Sequence, residues 1–487
     1  MKARKLYRQT LDAWLHRLSH ASGPLSNVLI KFFERFAPRV GARIRFRQGS
    51  FSQALAISQR SSDEMFRKRL EGMISTLHAP LPEQAPRNFE TAFNQQVLHC
   101  VHSSITFDTN GYAVRTEQIV RALRDQGISV NIMTRLGYPW DLPQHTGRPL
   151  TQTSKSLDIE YTHSHDAQRT IGSVESDYLR NYAETICKKA LESNSSVIHA
   201  HSNYLNGLAA AIAGRKLDIP VVYEMRGLWH ETRALTNPKY RDTEHFQYCE
   251  ARELHAAASA DTVVAISEPL SEWLTARGIN SNKIHVVSNA GTLSCALESL
   301  SKVPTRIGYV GSIVSYEGLD CLVYAMQRVI KASPEVKATI VGDGPYLGEL
   351  RRLIRKERLE NVIELVGRVP VDSVNKQYQR FAAAVVPRNS NNVTELIPPL
   401  KPMEILSLGV PLIVSDVAPL ASIVTHKYNG LLFNSGSADQ LAECILEMVN
   451  SASLRDQLGR QGRKWAQEHN WEGNAKRYIA LYQELFK

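Results

Sequence analysis

The sequence predicts an α/β protein with two doubly wound, mostly parallel sheets and a basic helical extension at its N-terminus. Three observations predict this architecture. Short apolar strands alternate with helices from Gln96 onward, the alternation lapses near residue 300 and restarts, and positive charge is concentrated before residue 70. Such alternation is typical of parallel strands joined by crossover helices. At 487 residues the chain is too long for one core, so it predicts at least two domains.

Composition indicates an ordinary globular protein, with 43% hydrophobic residues. No apolar run approaches the roughly 20 residues that span a bilayer, and the N-terminus lacks the apolar core of a signal peptide. The cysteines have neither metal-ligand spacing nor a paired framework, which favours reduced thiols in a cytoplasm. They are Cys100, Cys187, Cys249, Cys295, Cys321 and Cys444.

The extension carries the charge. Residues 1–70 contain fifteen Lys or Arg against four acids, a net charge of +11, so the rest of the chain sums to about −1. Apolar residues recur there at helical spacing until Pro38: Leu11, Trp14, Leu15, Leu18, Leu25, Val28, Leu29, Phe32, Phe33 and Phe36. A basic amphipathic segment within residues 1–50 suits the inner face of an anionic membrane. Packing of the same stripe on the body of the protein is the alternative. The charge comes with no nucleic-acid recognition motif, so we expect no nucleic acid.

The elements divide the chain into five parts. Residues 1–80 form the extension, 81–95 a linker, 96–300 and 301–470 two Rossmann-like domains, and 471–487 a final helix packing back across the joint. Predicted helices cover 111–126 and 206–216. Predicted strands cover 97–102, 130–134, 196–201, 220–224, 261–266 and 283–287 in the first domain, and 306–311, 337–342, 362–367, 382–386 and 411–415 in the second.

Ligands of open α/β sheets bind beyond the carboxyl ends of the strands. At such a position in the first domain, Asn110 and Gly111 begin a helix, where a phosphate can approach the backbone closely. A simple turn capped by the asparagine is the alternative interpretation. A later strand ends in Glu224, Arg226 comes two residues on, and both are predicted at the rim of an interdomain cleft.

His199 and His201 point to the same side of their strand because side chains alternate. The pair is compatible with a metal, but the sequence offers no convincing third ligand, and a histidine at a strand end also serves as a structural hydrogen-bonding group. We therefore predict no metal site.

Residues 386–416 predict a strand, a polar loop with Pro398 and Pro399, a helix opening near Lys401, and another strand. Helix N-termini favour anions. Lys401 and Glu404 are three apart on the first turn and share a face, which suits a ligand carrying phosphate and hydroxyl groups. An ordinary capping salt bridge is the alternative.

Several segments, in order, are similar to family-4 retaining glycosyltransferases of the GT-B type. They are Asn110-Gly-Tyr-Ala-Val-Arg-Thr, His199-Ala-His-Ser-Asn-Tyr-Leu-Asn-Gly, Tyr223-Glu-Met-Arg-Gly-Leu-Trp, Val287-Ser-Asn-Ala-Gly, Tyr309-Val-Gly-Ser-Ile-Val-Ser-Tyr-Glu-Gly-Leu-Asp, Val341-Gly-Asp-Gly-Pro, Val366-Gly-Arg-Val-Pro and Pro398-Pro-Leu-Lys-Pro-Met-Glu. The resemblance extends over residues 97–486. It implies the GT-B fold, with an acceptor domain followed by a nucleotide-sugar donor domain.

The resemblance implies transfer of a sugar from a UDP- or GDP-sugar co-substrate to a hydroxyl of a glycan or lipid-linked acceptor, with retention and without a metal or cofactor. It implies catalytic positions for His201 and Glu395. Gly111 would lie near the donor diphosphate. The nucleotide would contact Gly311, Gly367, Arg368 and Glu404, with Glu404 gripping the ribose.

The sequence departs from the family at the diphosphate site. Ser312 and Glu317 stand where many members have Arg and Lys, so Arg388 and Lys401 would have to replace those cations. Glu395 and Glu404 are nine apart rather than the usual eight. Surface polysaccharide synthesis is the expected setting. A catalytically silent scaffold or sugar-binding protein, and an epimerase or phosphorylase of the same fold, are the alternatives.

Overall fold

The computed structural model describes residues 24–83, 87–89, 92–145, 147–165, 174–292, 303–370 and 373–487. It contains two separate sheets, each with helices on both faces, preceded by a small helical layer. This confirms the predicted fold class. The predicted stripe from Leu11 to Leu18 lies outside the described residues, as does the predicted domain joint at residue 300.

The described part of the extension contains four helices: α1 (Pro24–Phe36), α2 (Pro38–Arg47), α3 (Phe51–Ser58) and α4 (Glu64–Leu77). Helix α1 ends just before Pro38, as predicted, because proline opens a helix readily but interrupts one that is under way. Helices α3 and α4 pack on the first domain through Phe51, Leu70 and Met73, which share a core with Tyr248. These two helices lie outside the predicted stripe from Leu11 to Phe36, so their packing does not decide between the two readings of that stripe.

The first sheet has eight strands in the order β3-β4-β2-β1-β5-β6-β7-β8 and is parallel except for the β3–β4 hairpin. The strands are β1 (Gln96–Val101), β2 (Ser129–Thr134), β3 (Thr153–Ser156), β4 (Ile159–Thr162), β5 (Val197–His201), β6 (Val221–Met225), β7 (Thr262–Ala265) and β8 (Ile284–Val286). The central strands β5, β6 and β7 are buried throughout, as expected for a parallel sheet covered on both faces.

The second sheet has six strands, all parallel, in the order β11-β10-β9-β12-β13-β14. The strands are β9 (Val303–Val310), β10 (Lys337–Val341), β11 (Ile363–Gly367), β12 (Phe381–Val386), β13 (Leu412–Ser415) and β14 (Leu431–Phe433). All eleven predicted strands are present, whereas β3, β4 and β14 were not predicted. Strand β3 lacks apolar side chains, and β14 is three residues long, too short for a period to show.

Fourteen helices follow the extension in the described residues. In the first domain these are α5 (Gly111–Asp125), α6 (Glu175–Glu192), α7 (Tyr204–Leu217), α8 (Trp229–Thr236), α9 (Glu244–Ser259) and α10 (Glu268–Thr275). The helices after the first domain are α11 (Leu319–Ala332), α12 (Leu347–Lys356), α13 (Val374–Gln379), α14 (Lys401–Ser407), α15 (Ala418–Ala421), α16 (Ala438–Asn450), α17 (Ala452–Glu468) and α18 (Trp471–Glu484).

The loop after β12 joins the two domains. Ser267 Oγ donates a 2.5 Å hydrogen bond to the Leu396 carbonyl, and Asn289 Nδ2 donates a 3.0 Å bond to the Pro398 carbonyl. Helix α18 then returns to the first domain, where Asn474 Nδ2 donates to the Ser288 carbonyl at 2.8 Å. The carboxyl ends of both sheets consequently flank one cleft. None of the helices in the described residues is long and apolar enough to cross a membrane.

Candidate functional site

A carboxylate at the end of β6 forms the charged centre of the first domain. Glu224 is fully buried and accepts hydrogen bonds from Arg115 Nε at 2.9 Å, Arg226 Nε at 2.6 Å and the Tyr478 hydroxyl at 2.7 Å. Burial raises the pKa of Glu224, but the charges of Arg226 and Arg115 outweigh it and hold the pKa well below its usual range. Glu224 is therefore ionised.

Both arginines of this centre make further hydrogen bonds inside the protein. Their acceptors are the Asn289 side chain at 2.7 Å and the Val287 carbonyl at 2.7 Å for Arg115, and the Thr116 hydroxyl at 2.7 Å and the Tyr112 carbonyl at 3.1 Å for Arg226. Arg226 is only 4% exposed. Glu224 and Arg226 thus occupy the interior beneath the cleft, not its open rim as the sequence predicted, because each is the other's charge partner.

Three buried histidines lie beside this centre. The parallel register places His99 of β1 opposite His199 of β5, and His201 follows on the same side, so their nitrogens lie within 4.8 Å of one another. The sequence offered no third ligand for His199 and His201; the fold supplies one from a neighbouring strand. That residue is distant in sequence, and only the strand order reveals it.

The hydrogen bonds of these histidines do not establish a metal site. His199 Nδ1 is 2.7 Å from the Tyr482 hydroxyl, and His201 Nδ1 is 3.3 Å from the Thr116 hydroxyl. Burial, joined by the nearby charge of Arg226, lowers the pKa of His201 well below its ordinary value, so the ring is neutral. The charge of Arg226 opposes a cation at His201, whereas the ionised Glu224, 3.2 Å from His199 Nε2, favours one.

The start of α5 faces the second domain. Asn110 caps the helix by accepting from the Ala113 N–H at 3.0 Å, which confirms the expected Asn-capped helix start. Gly111 is exposed at the first helical position, and a Cβ added there would lie 3.8 Å from Leu400 Cδ1. The positive end of a 15-residue helix therefore points toward the segment that contains Lys401.

Two cations and one carboxylate lie at the carboxyl end of β9. Glu317 is buried and forms ion pairs with Lys401 Nζ at 2.9 Å and with Arg388 Nε at 3.4 Å. Burial raises the pKa of Glu317, but the charges of Lys401 and Arg388 outweigh it, so the pKa lies below its usual value. Glu317 stands where many family members have a lysine. It thus pairs with Lys401 and Arg388, the two cations expected to take over the role of the missing ones.

The Lys401 side chain crosses Gly311 to reach Glu317. Gly311 has φ +155°, and a Cβ there would lie 2.1 Å from Lys401 Cε, so a larger residue would displace the Lys401 side chain. Lys401 Nζ also lies 5.2 Å from the centre of the Tyr309 ring, within reach of a cation–π contact. Its side chain remains 16% exposed, whereas that of Arg388 is 5% exposed and donates to the Ile397 carbonyl at 2.8 Å.

Glu404 lies one turn after Lys401 and is partly buried. Burial raises the pKa of Glu404, and the charge of Lys401 acts against this. Among the described residues, the Glu404 carboxylate makes no side-chain hydrogen bond or ion pair. Glu404 therefore retains acceptor oxygens for a ligand.

Gly367 ends β11 with φ +84°, and Arg368 is exposed next to it.

Glu395 occupies the loop after β12. One of its carboxylate oxygens accepts from the Ser390 hydroxyl at 2.5 Å and the other accepts from the Ala418 N–H at 2.9 Å. The loop itself is held by the Thr394 hydroxyl, which donates to the Asn389 carbonyl at 2.6 Å. Glu395 is thus oriented by neighbouring turns and lies in the second domain, whereas His201 lies in the first.

Sequence reasoning missed Arg115, Tyr478 and the pairing role of Glu317. Arg115 lies on the buried side of α5 among apolar residues, a recognisable signal for a paired charge. Its partners come from β6 and α18, and no local pattern connects those elements. Glu317 stood out in the sequence only as a missing cation.

Comparison with known proteins agrees with this architecture. The family models described as Glycosyl transferase 4-like domain and Glycosyl transferases group 1 match residues 110–290 and 298–465. An uncharacterised glycosyltransferase of Methanocaldococcus jannaschii is 27% identical over 63% of this chain and 81% of its own length. A D-inositol 3-phosphate glycosyltransferase of Jonesia denitrificans is 23% identical over 79% of this chain and 94% of its own. The crystal structure of Anabaena HepE in complex with UDP superposes with a TM-score of 0.61 at 16% identity, covering 80% of this chain and all of the other.

Proposed function

The chain belongs to the group 1 glycosyl transferases of the GT-B fold, and from this premise we propose that it moves a sugar from a UDP- or GDP-sugar to a hydroxyl of a glycan or lipid-linked acceptor. Surface polysaccharide synthesis is the proposed setting. The observation that carries the proposal is Lys401, a partly exposed cation held between the start of α5 and the end of β9.

In this proposal the donor diphosphate lies between Gly111 and Lys401. The N–H groups at the start of α5 and the Lys401 ammonium stabilise its negative charge, and Arg388 supports the same field from beneath. Glu404 accepts hydrogen bonds from the ribose hydroxyls, and Gly311, Gly367 and Arg368 contact the nucleotide. These contacts need neither a metal nor a cofactor.

The proposed reaction retains anomeric configuration. The bond between the sugar's anomeric carbon and the diphosphate oxygen breaks, a bond to the acceptor oxygen forms on the same face, and the acceptor proton passes to the departing diphosphate. Helix-end N–H groups and Lys401 stabilise the charge that develops on the leaving group. His201 and Glu395 are proposed to position the sugar, and Asn110 lies at the adjoining rim.

Glu317 favours a second candidate, a catalytically silent sugar-binding scaffold. Its carboxylate offsets one of the two cations at the diphosphate site. A site of lower net charge binds a diphosphate less tightly, which would suit a protein that senses nucleotide sugars without turning them over.

Helix α1 supports a proposed location on the inner membrane face. Leu25, Val28, Phe32 and Phe36 lie along one side of this helix and are 52–82% exposed, while Ile30 on the other side is buried. Lys31 and Arg35 are exposed next to the apolar stripe. An exposed apolar stripe bordered by cations matches an interface of anionic lipid headgroups.

The proposed function is tested by substituting the ribose-binding carboxylate. Glu404→Ala is expected to abolish sugar transfer from a nucleotide sugar while the protein stays folded, and Glu443→Ala, an exposed carboxylate on α16, is the control. Nucleoside diphosphate release and product anomer are measured together. Full turnover by Glu404→Ala removes the donor-site assignment, and absence of any turnover by the unmodified protein with UDP- and GDP-sugars favours the scaffold.

A further inference from the structure

A cavity of about 350 Å³ lies between the helical extension and the first domain. The extension forms one wall through Phe46, Arg69 and Met73, and the others come from α6, the start of α7, α8, α9 and the segment that contains Tyr240. The extension precedes both regions that the family models match, so this cavity is not completed by the shared fold alone.

The extension is fastened to the first domain beside the cavity. The His245 N–H donates to the Gly49 carbonyl at 3.0 Å, and the Ser52 N–H donates to Glu244 at 2.8 Å. Gly49 has φ +86°, and a Cβ there would lie 2.7 Å from the Thr243 hydroxyl, so glycine is required for this close approach. The wall that the extension contributes is consequently fixed in place.

The lining combines aromatic rings with a few ionisable groups. Two arginines, Arg69 and Arg233, and two glutamates, Glu175 and Glu253, line the cavity. Aromatic side chains make up much of the remainder: Phe46, Tyr178, Tyr204, Trp229, Tyr240 and Tyr248. Apolar rings joined by a few fixed polar groups are typical of small-molecule sites.

One lining residue has unmet hydrogen-bonding capacity. His230 is 2% exposed, and neither of its ring nitrogens has a hydrogen-bond partner among the residues that the structure describes. Burial lowers the pKa of His230 to about 3, so the neutral ring offers one donor and one acceptor. A buried polar group without a partner is costly, and a hydroxyl group, which both donates and accepts, suits either nitrogen.

The cavity adjoins the proposed donor site. Trp229 lines the cavity and donates through Nε1 to the Tyr112 hydroxyl at 2.6 Å. Tyr112 follows Gly111 directly, and the His102 ring, at the end of β1, lies 4.5 Å from the indole. One indole ring therefore separates the cavity from the helix start proposed to face the diphosphate.

We propose that this cavity binds a neutral sugar ring of the acceptor glycan, with His230 hydrogen-bonded to its hydroxyl groups and the extension forming one wall. The assignment rests on the proposed glycosyl transfer. It gives the extension a role in acceptor recognition in addition to any contact with a membrane. It also makes His230 a specificity-determining residue.

The test uses the full chain and three probes, the methyl α-D-pyranosides of glucose, galactose and mannose, in saturation-transfer NMR. At least one is expected to bind the unmodified protein. His230→Phe, which removes both nitrogens, and Met73→Trp, which fills the cavity from the extension, should each weaken binding by about tenfold or more. Ser75→Trp places the same indole on an exposed position of α4 and should leave binding unchanged.

Three outcomes would overturn the proposal: no glycoside binds the unmodified protein, binding persists in both cavity variants, or farnesyl phosphate alone competes for the cavity, which would make it a lipid site. Far-UV circular dichroism of the same samples verifies that each variant is folded, and a UDP and GDP titration tests the proposed transfer separately. If glycosides bind but neither nucleotide does, the proposed transfer fails while the sugar site stands. If nucleotides bind but glycosides do not, the proposed sugar site fails while the proposed transfer stands.

Discussion

Each domain contains two cations around one buried glutamate, but only one of these groups is open to a ligand. In the first domain, Glu224 binds Arg115 and Arg226, and both guanidinium groups have further partners within the protein. In the second domain, Glu317 binds Arg388 and Lys401, and the Lys401 ammonium stays partly exposed at the cleft.

The difference shows that buried charge alone does not identify a binding site. Internal hydrogen bonds of Glu224, Arg115 and Arg226 join β6, α5 and α18, so the first group fixes the positions of these elements. The second group keeps ammonium hydrogens for an external anion, and a lysine can turn toward that anion without leaving Glu317 uncompensated by Arg388. We expect the two groups to respond differently to the same substitution.

Glu224→Gln should have the largest effect. Removing the carboxylate charge leaves Arg115 and Arg226 buried without their counter-ion, and the free energy of unfolding should fall by about 3–5 kcal/mol. Denaturant unfolding measures this. Glu472→Gln, which breaks an exposed pair with Lys476, should cause no measurable change. A Glu224→Gln protein as stable as the unmodified one would show that the first group is not a structural centre.

Glu253 extends the comparison to pH, because its carboxyl group is buried in the first domain and pairs with no cation among the described residues. Burial raises its pKa to about 7 from 4.5, so the folded state holds a proton that the unfolded state releases between those values. Stability should therefore fall as pH rises through this window, by about 3 kcal/mol in full. Glu253→Gln keeps a neutral group and should remove that fall. If the free energies of unfolding of the two proteins change with pH in the same way, the raised pKa of Glu253 is contradicted.

Glu317→Gln should cost less than Glu224→Gln, about 2 kcal/mol, because Lys401 can turn toward water whereas both arginines of the first group cannot. The vacated charge should also make the site bind anions more strongly. Inorganic pyrophosphate is therefore expected to stabilise Glu317→Gln more than the unmodified protein in thermal unfolding. Equal costs for the two substitutions would mean that the second group is as closed as the first.

The extension gives the smallest expected effect. Lys31→Gln and Arg35→Gln should each weaken binding to vesicles containing phosphatidylglycerol by about 1 kcal/mol, and salt should reduce the difference. Vesicle co-sedimentation measures this, with Lys476→Gln as the control on α18. Binding that is unaffected by either substitution would leave the exposed stripe of α1 without a lipid partner.

The elements of both domains could be predicted from the sequence because apolar periodicity is local. Strands such as β5 and β12 are short apolar runs, and α5 begins at an asparagine that caps it. The hairpin of β3 and β4 escaped prediction because β3 has polar side chains on both faces.

Partners across the fold could not be predicted in the same way. Lys401 and Glu317 are 84 positions apart, as their numbers show, and His99 meets His199 only because β1 and β5 are neighbours in the sheet. Glu224 and Arg226 looked like rim residues because they lie at the carboxyl end of a strand. Their burial depends on α5 and α18, which cover them from distant parts of the chain.

The most direct test is calorimetric titration of the unmodified protein and of Lys401→Ala with UDP and with GDP. We predict that one of these nucleotides binds the unmodified protein and that Lys401→Ala weakens its affinity by about 30-fold, or ~2 kcal/mol, without a matching loss of stability. Lys376→Ala, on the exposed face of α13, should bind as the unmodified protein does. Equal affinity in Lys401→Ala, or no binding of either nucleotide, would contradict an open cation site for the donor diphosphate.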